Sequence, residues 1–130
     1  MTQQGPNESA PLVLVADDDP EILSLVSTQV RRLGAKVIEV SDGEIALKTA
    51  KAERPKVVIL DVMMPGMSGW EVCRALREFE GTQNVRVLML TAIGERLNEM
   101  TSPLYGADAY LDKPFEFDAL QTKVRELIDS

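Results

Sequence analysis

Short runs rich in Val, Ile and Leu recur along the chain at 12–17, 36–40, 56–61, 85–90 and 109–112, with longer stretches of helical spacing between them. Brief apolar runs with little polar alternation read as strands buried on both faces, which is the habit of parallel sheets. The intervening segments carry their apolar residues three and four apart. Ile22, Val26, Val30 and Leu33 mark a helix over 20–33 that Gly34 stops, and a second helix over 42–53 is broken by Pro55. Val72, Cys73, Leu76 and Phe79 mark a third over 68–79, a weaker fourth spans 95–102, and Phe117, Leu120, Val124 and Leu127 mark a fifth over 116–129.

Strands alternating with helices imply right-handed crossovers and one parallel sheet covered on both sides. The expected fold is therefore α/β: a flavodoxin-like, doubly wound five-stranded parallel sheet in the order 2-1-3-4-5, with five helices. Its first 11 residues, polar and carrying Gly5 and Pro6, read as a disordered N-terminal tail, leaving 12–130 as the domain. At 130 residues a single domain buries roughly two-thirds of its unfolded surface, enough for a core without staples.

Composition narrows the chemistry. A formal charge of -7 opposes direct nucleic-acid binding, which needs a basic face; Arg31, Arg32 and the Lys48, Lys51, Arg54, Lys56 group read as solvated helix faces. With no His and one Cys, zinc sites of the usual kind are excluded, and Cys73 on an apolar helical stripe reads as core. No apolar stretch approaches a membrane span, and the N-terminus lacks signal-peptide features, so a cytoplasmic protein without membrane contact is expected.

In such sheets ligands bind at the carboxyl ends of the strands, and there the chain carries Asp17 and Asp18, Asp61, Thr91 and Lys113. An acidic triplet such as Asp17-Asp18-Asp19 can be nothing more than helix capping. Asp19, directly before Pro20, has the N-cap signature. Asp17 and Asp18 remain, two adjacent carboxylates that repel each other unless a cation binds, and oxygen-only donors favour Mg2+ over a transition metal. Asp61 ends an otherwise apolar strand and precedes a turn built on Pro65 and Gly66. A carboxylate beside Mg2+ can attack phosphorus, while Lys113 and Thr91 can bind the oxygens of the transferred group.

Four segments in this order resemble the receiver domain of bacterial two-component response regulators, the class that includes the chemotaxis regulator. They are the run ending Asp17-Asp18-Asp19, Leu60-Asp61-Val62-Met63-Met64-Pro65-Gly66-Met67, Met89-Leu90-Thr91-Ala92, and Tyr110-Leu111-Asp112-Lys113-Pro114-Phe115. The resemblance covers 11–130. It implies that Asp61 accepts a phosphoryl group from a histidine kinase or histidine phosphotransfer protein. It implies that Asp18, Asp61 and the Met63 backbone carbonyl hold Mg2+ directly, with Asp17 acting through water. Thr91 and Lys113 bind the phosphoryl oxygens, and Thr91 with the rotamer switch Tyr110 reshapes the surface of the fourth helix, fifth strand and fifth helix for a downstream protein target or an output domain. A cis Lys113-Pro114 bond belongs to the same pattern.

Three departures bear on the mechanism. Ser68 replaces the Asp that often precedes the helical Gly and still caps a helix. Pro103 interrupts the expected fourth helix, which should end near 102 or kink there. Met63 and Ile93, both apolar, occupy the two variable positions that in receiver domains flank the attacking water, so the resemblance implies slow loss of phosphate. A haloacid-dehalogenase-type phosphohydrolase uses similar groups but places its nucleophile after the first strand and needs a cap domain. A receiver-like interaction module without phosphorylation is opposed by the presence of every chemical residue. The resemblance implies a signalling domain, not a turnover enzyme, either standing alone or cut from a longer regulator.

Overall fold

The computed structural model of the chain describes residues 10–92 and 106–130. Its elements are β1 (Leu12–Ala16), α1 (Pro20–Arg31), β2 (Lys36–Val40), α2 (Gly43–Glu53), β3 (Val57–Asp61), α3 (Gly69–Glu78), a 3-10 turn (Glu80–Thr82), β4 (Arg86–Thr91), β5 (Ala109–Asp112) and α4 (Phe117–Asp129). The five strands form one parallel sheet in the order β2-β1-β3-β4-β5, as expected from the alternation. Four α-helices lie among the described residues. The predicted helix over 95–102, the break at Pro103, Ile93 and most of the expected tail lie outside them.

Strand alternation divides the core into two layers. Leu14, Ala16, Val58, Leu60, Val87 and Met89 point to the face covered by α2 and α3, where Ala46, Ala50, Val72, Cys73 and Leu76 meet them. Val13, Val15, Val57, Ile59, Leu88 and Leu90 point to the other face, against Val26 and Val30 of α1 and Leu120, Val124 and Leu127 of α4. Each fully buried Leu or Ile contributes about 1.5–3 kcal/mol relative to exposure, so the three central strands anchor the fold. Cys73 is fully buried, and burial pushes its thiol up to about 11, which makes it a core residue and no nucleophile.

The helix ends follow local chemistry. Asp19 caps α1, accepting from the Glu21 and Ile22 N–H groups at 2.9 and 3.4 Å, with Pro20 in the first turn. Asp42 caps α2 through Ile45 N–H at 2.8 Å. Ser68 and Glu71 form a reciprocal capping box on α3. Helix α1 ends sooner than its periodicity suggests, and Leu33 sits in the following turn before Gly34 at φ +89°. Helix α2 closes on Arg54 in the left-handed region (φ 50°), a conformation that side-chain pattern does not reveal.

Arg77, on α3, fastens the remote end of the sheet. Its guanidinium donates to the carbonyl oxygens of Gly106, Gln83 and Val85 and to Asp108 Oδ2 at 2.9 Å. Asp108 also accepts from Val87 N–H at 2.8 Å, which sets the start of β5 beside β4. The charges and backbone acceptors thus satisfy one another at a junction that apolar packing alone would leave loose.

Candidate functional site

Parallel register brings the polar strand ends to one rim. Asp17 follows β1 and its N–H donates to Val40 O at 3.2 Å, while Asp61 closes β3 opposite Leu90. Thr91 closes β4 opposite Asp112, and its carbonyl accepts from Lys113 N–H at 2.7 Å. Lys113 then reaches back over the sheet. Its Nζ lies 3.0 Å from Asp17 Oδ2 and 3.1 Å from Asp61 Oδ1, so one ammonium bridges two buried carboxylates from different strands.

Asp17 and Asp61 are buried and Asp18 is exposed, with one carboxylate oxygen of each within 4.8 Å of the others. Asp17 is already engaged on both oxygens, since Oδ1 accepts the Asp19 N–H at 2.9 Å and Oδ2 takes Lys113. Asp18 and the second oxygen of Asp61 carry no hydrogen bond among the described residues. Three carboxylates against one ammonium leave the pocket short of positive charge. Burial, with the neighbouring Asp17 charge, pushes Asp61 up to about 6 despite the opposing pull of Lys113. For Lys113, burial works against its charge, but the hydrogen bonds and charges of Asp17 and Asp61 outweigh it and raise its pKa. An oxygen-only donor set with unneutralised charge fits a hard cation.

Of the remaining predicted residues, Met63 and Thr91 fall at the same rim, and Tyr110 lies two residues short of the end of β5. Met63 stands two residues beyond Asp61 with 71% of its surface exposed. Thr91 is buried and lies on the α2/α3 side of the sheet by strand alternation. Tyr110 pairs with Met89, one diagonal step from Thr91 on the same face, and is half-buried against that core layer. The Lys113-Pro114 peptide is cis, as the resemblance implies. What sequence reasoning missed is how closely α2 and α3 approach the loop after Asp61. Gly43 and Gly69 permit that approach, and in sequence they look like ordinary glycines beside helix caps.

An acidic pocket of this make-up, at the switch point of a doubly wound sheet, fits a phosphoacceptor site. Residues 13–125 match the response regulator receiver domain family, and the chain belongs to that family as a receiver domain of the two-component type. Among curated relatives, the alkaline phosphatase synthesis transcriptional regulatory protein PhoP of Bacillus subtilis is 39% identical over 116 residues, covering 89% of this chain and 48% of PhoP. The DNA-binding dual master transcriptional regulator RpaA of Synechocystis is 38% identical over 118 residues, covering 91% of this chain and 49% of RpaA. The chain spans about half the length of these relatives.

Solved structures agree. The chemotaxis response regulator CheY4 of Vibrio cholerae superposes with a TM-score of 0.86 at 31% identity, covering 92% of this chain and 99% of CheY4. The receiver domain of a sensor histidine kinase of Pseudomonas aeruginosa, with a magnesium ion coordinated in its active-site cleft, gives 0.85 at 27% identity, covering 94% of this chain and all (100%) of that one. Among the described residues, no helix is long and apolar enough to cross a membrane.

Proposed function

We propose that Asp61 is the phosphoacceptor, taking a phosphoryl group from a histidine kinase or histidine phosphotransfer protein. The observation that carries this reading is the Lys113 bridge between Asp61 and Asp17, which places a fixed positive charge beside a carboxylate at the mouth of an acidic pocket. Above about pH 6 Asp61 is ionised and able to attack. An Asp61 oxygen forms the new bond to phosphorus while the bond from phosphorus to the donor's imidazole nitrogen breaks, and the nitrogen keeps the electron pair. Lys113 turns from Asp61 toward the incoming oxygens, and Thr91 donates its hydroxyl to them.

Asp18 and Asp61, with the Met63 carbonyl, are the groups that would hold Mg2+, and the neighbouring Asp17 carboxylate would support the ion without binding it directly. When bound, Mg2+ supplies charge neutralisation for the phosphoryl oxygens. Thr91 and Tyr110 share one face of adjacent strands, so movement of Thr91 toward the phosphoryl group frees space into which Tyr110 turns. The domain acts as a cytoplasmic switch that is modified once per cycle, not as a turnover enzyme. Its target is a protein partner or a linked output domain; relatives of twice its length are named transcriptional regulators.

Incubation with labelled acetyl phosphate and Mg2+ tests the reading. One acid-stable, base-labile phosphate per chain, lost in Asp61→Asn, supports it. Labelling that persists in Asp61→Asn, or many turnovers of a phosphomonoester, overturns it.

A further inference from the structure

Gly69, the first residue of α3, touches the backbone of the phosphoacceptor itself. Its N–H donates to Val62 O at 2.8 Å. A methyl group placed on its Cα would lie 2.4 Å from Asp61 O, 3.0 Å from Asp61 C and 3.1 Å from Val62 Cα. All three atoms are backbone, at the end of a central strand, so no flexible side chain can swing away. Restoring ordinary contact at 3.4 Å needs about 1 Å of movement. We propose that Gly69 is a positioning residue for Asp61, its missing side chain letting α3 begin against the acceptor's own peptide; the proposal rests on Asp61 being the acceptor.

Which partner yields is decided by how each is held. Helix α3 is fastened at its first turn by the Ser68–Glu71 capping box and along its length by Val72, Cys73 and Leu76, all buried. At its far end the Arg77 guanidinium grips three carbonyl oxygens and Asp108. On the other side, the Asp61 peptide is secured by the Val62 N–H to Leu90 O bond of 3.0 Å, and just beyond it lies the exposed turn at Met63. The strand end and its turn give way more easily than the helix. Gly69 has no left-handed φ, so alanine there suits the helix and the cost falls on the position of Asp61.

The same argument separates Gly69 from Gly34. Gly34 has φ +89° with nothing within 4 Å of an added methyl, so a side chain there strains the turn after α1 and leaves the rim untouched.

The test compares wild type, Gly69→Ala and Gly34→Ala, following the single tryptophan, Trp70, for thermal unfolding and acetyl phosphate with saturating Mg2+ for labelling. The expected result is a maximal labelling rate lowered about tenfold to a hundredfold in Gly69→Ala, with the half-saturating acetyl phosphate concentration unchanged, because only the nucleophile has moved. Metal-free Gly69→Ala should melt within a few degrees of wild type, while Gly34→Ala melts lower yet labels at the wild-type maximal rate. A Gly69→Ala protein that labels as fast as wild type, or that is unfolded, overturns the proposal; the second outcome makes Gly69 a requirement of the fold. Absence of labelling in the wild type instead overturns the assignment of Asp61, and an equal rate in both proteins overturns only the role of Gly69.

Discussion

Lys113 Nζ lies 3.1 Å from Asp61 Oδ1, and the same ammonium lies 3.0 Å from Asp17 Oδ2. Fifty-two residues separate Lys113 from Asp61 in the chain, and parallel pairing of β3, β4 and β5 alone brings them together. The bridge makes Lys113 the shared counter-charge of both buried carboxylates.

Removing that ammonium leaves two buried carboxylates facing each other. Lys113→Met should lower stability at pH 7.5 by about 2 kcal/mol, less than for a wholly buried pair because the lysine side chain is 21% exposed. Mg2+ should recover part of the loss by supplying the missing positive charge. Thermal melts with and without Mg2+ measure both effects.

Asp61 has its pKa raised in the fold from 3.8 to about 6, so its ionisation opposes folding. The penalty is absent below about pH 3.8, grows between there and pH 6, and is full above. Asp61→Asn, which mimics the neutral acid, should therefore stabilise the metal-free domain at pH 7.5, by at most roughly 3 kcal/mol. The difference should vanish near pH 4, and melts across the pH range show whether it does. By the same sign, Mg2+ affinity should weaken as pH falls through 6, because protons compete for the carboxylate.

Met63 is exposed beside the acceptor and offers no group that holds a water for in-line attack. Met63→Asn supplies an amide at that place and should shorten the phosphoryl lifetime several-fold. Decay of labelled protein after removal of the donor reads this directly, and an unchanged lifetime argues against a role for the position.

Arg77 satisfies carbonyls on both sides of β4, those of Gln83 and Val85 before it and that of Gly106 ahead of β5. Arg77→Ala should cost about 2–4 kcal/mol, since it removes the guanidinium from the Gln83, Val85 and Gly106 carbonyls and takes one of the donors from Asp108. Amide exchange should rise first in β5, ahead of β1 and β3. Uniform loss of protection would contradict the local clamp.

Cys73 is fully buried with its thiol pushed up to about 11, so a maleimide or disulfide reagent should leave the native domain unlabelled at pH 7.5 and react at once in denaturant. Rapid labelling of the folded domain would remove Cys73 from the core.

The strands were legible because a strand buried on both faces must be apolar throughout, as Val57 to Leu60 and Val87 to Leu90 are. The caps were legible because Asp19 and Ser68 satisfy backbone donors within three residues of themselves. The left-handed Arg54 and the early end of α1 were not, because side-chain pattern does not report backbone dihedrals, and the Arg77 clamp was not, because it joins α3 to Gly106 and Asp108 far along the chain.

The amino-acid order by itself determined which residues could do chemistry: carboxylates, a hydroxyl and an ammonium placed where apolar runs stop. Local rules suffice there, since strand length, helix period and capping act within a few residues. Tertiary structure decided that Lys113 neutralises Asp17 and Asp61 together, that Tyr110 shares a sheet face with Thr91, and that Gly69 presses on the Asp61 peptide. Those relationships are set by strand register and helix packing, which fix distances between segments that the chain itself leaves unconnected.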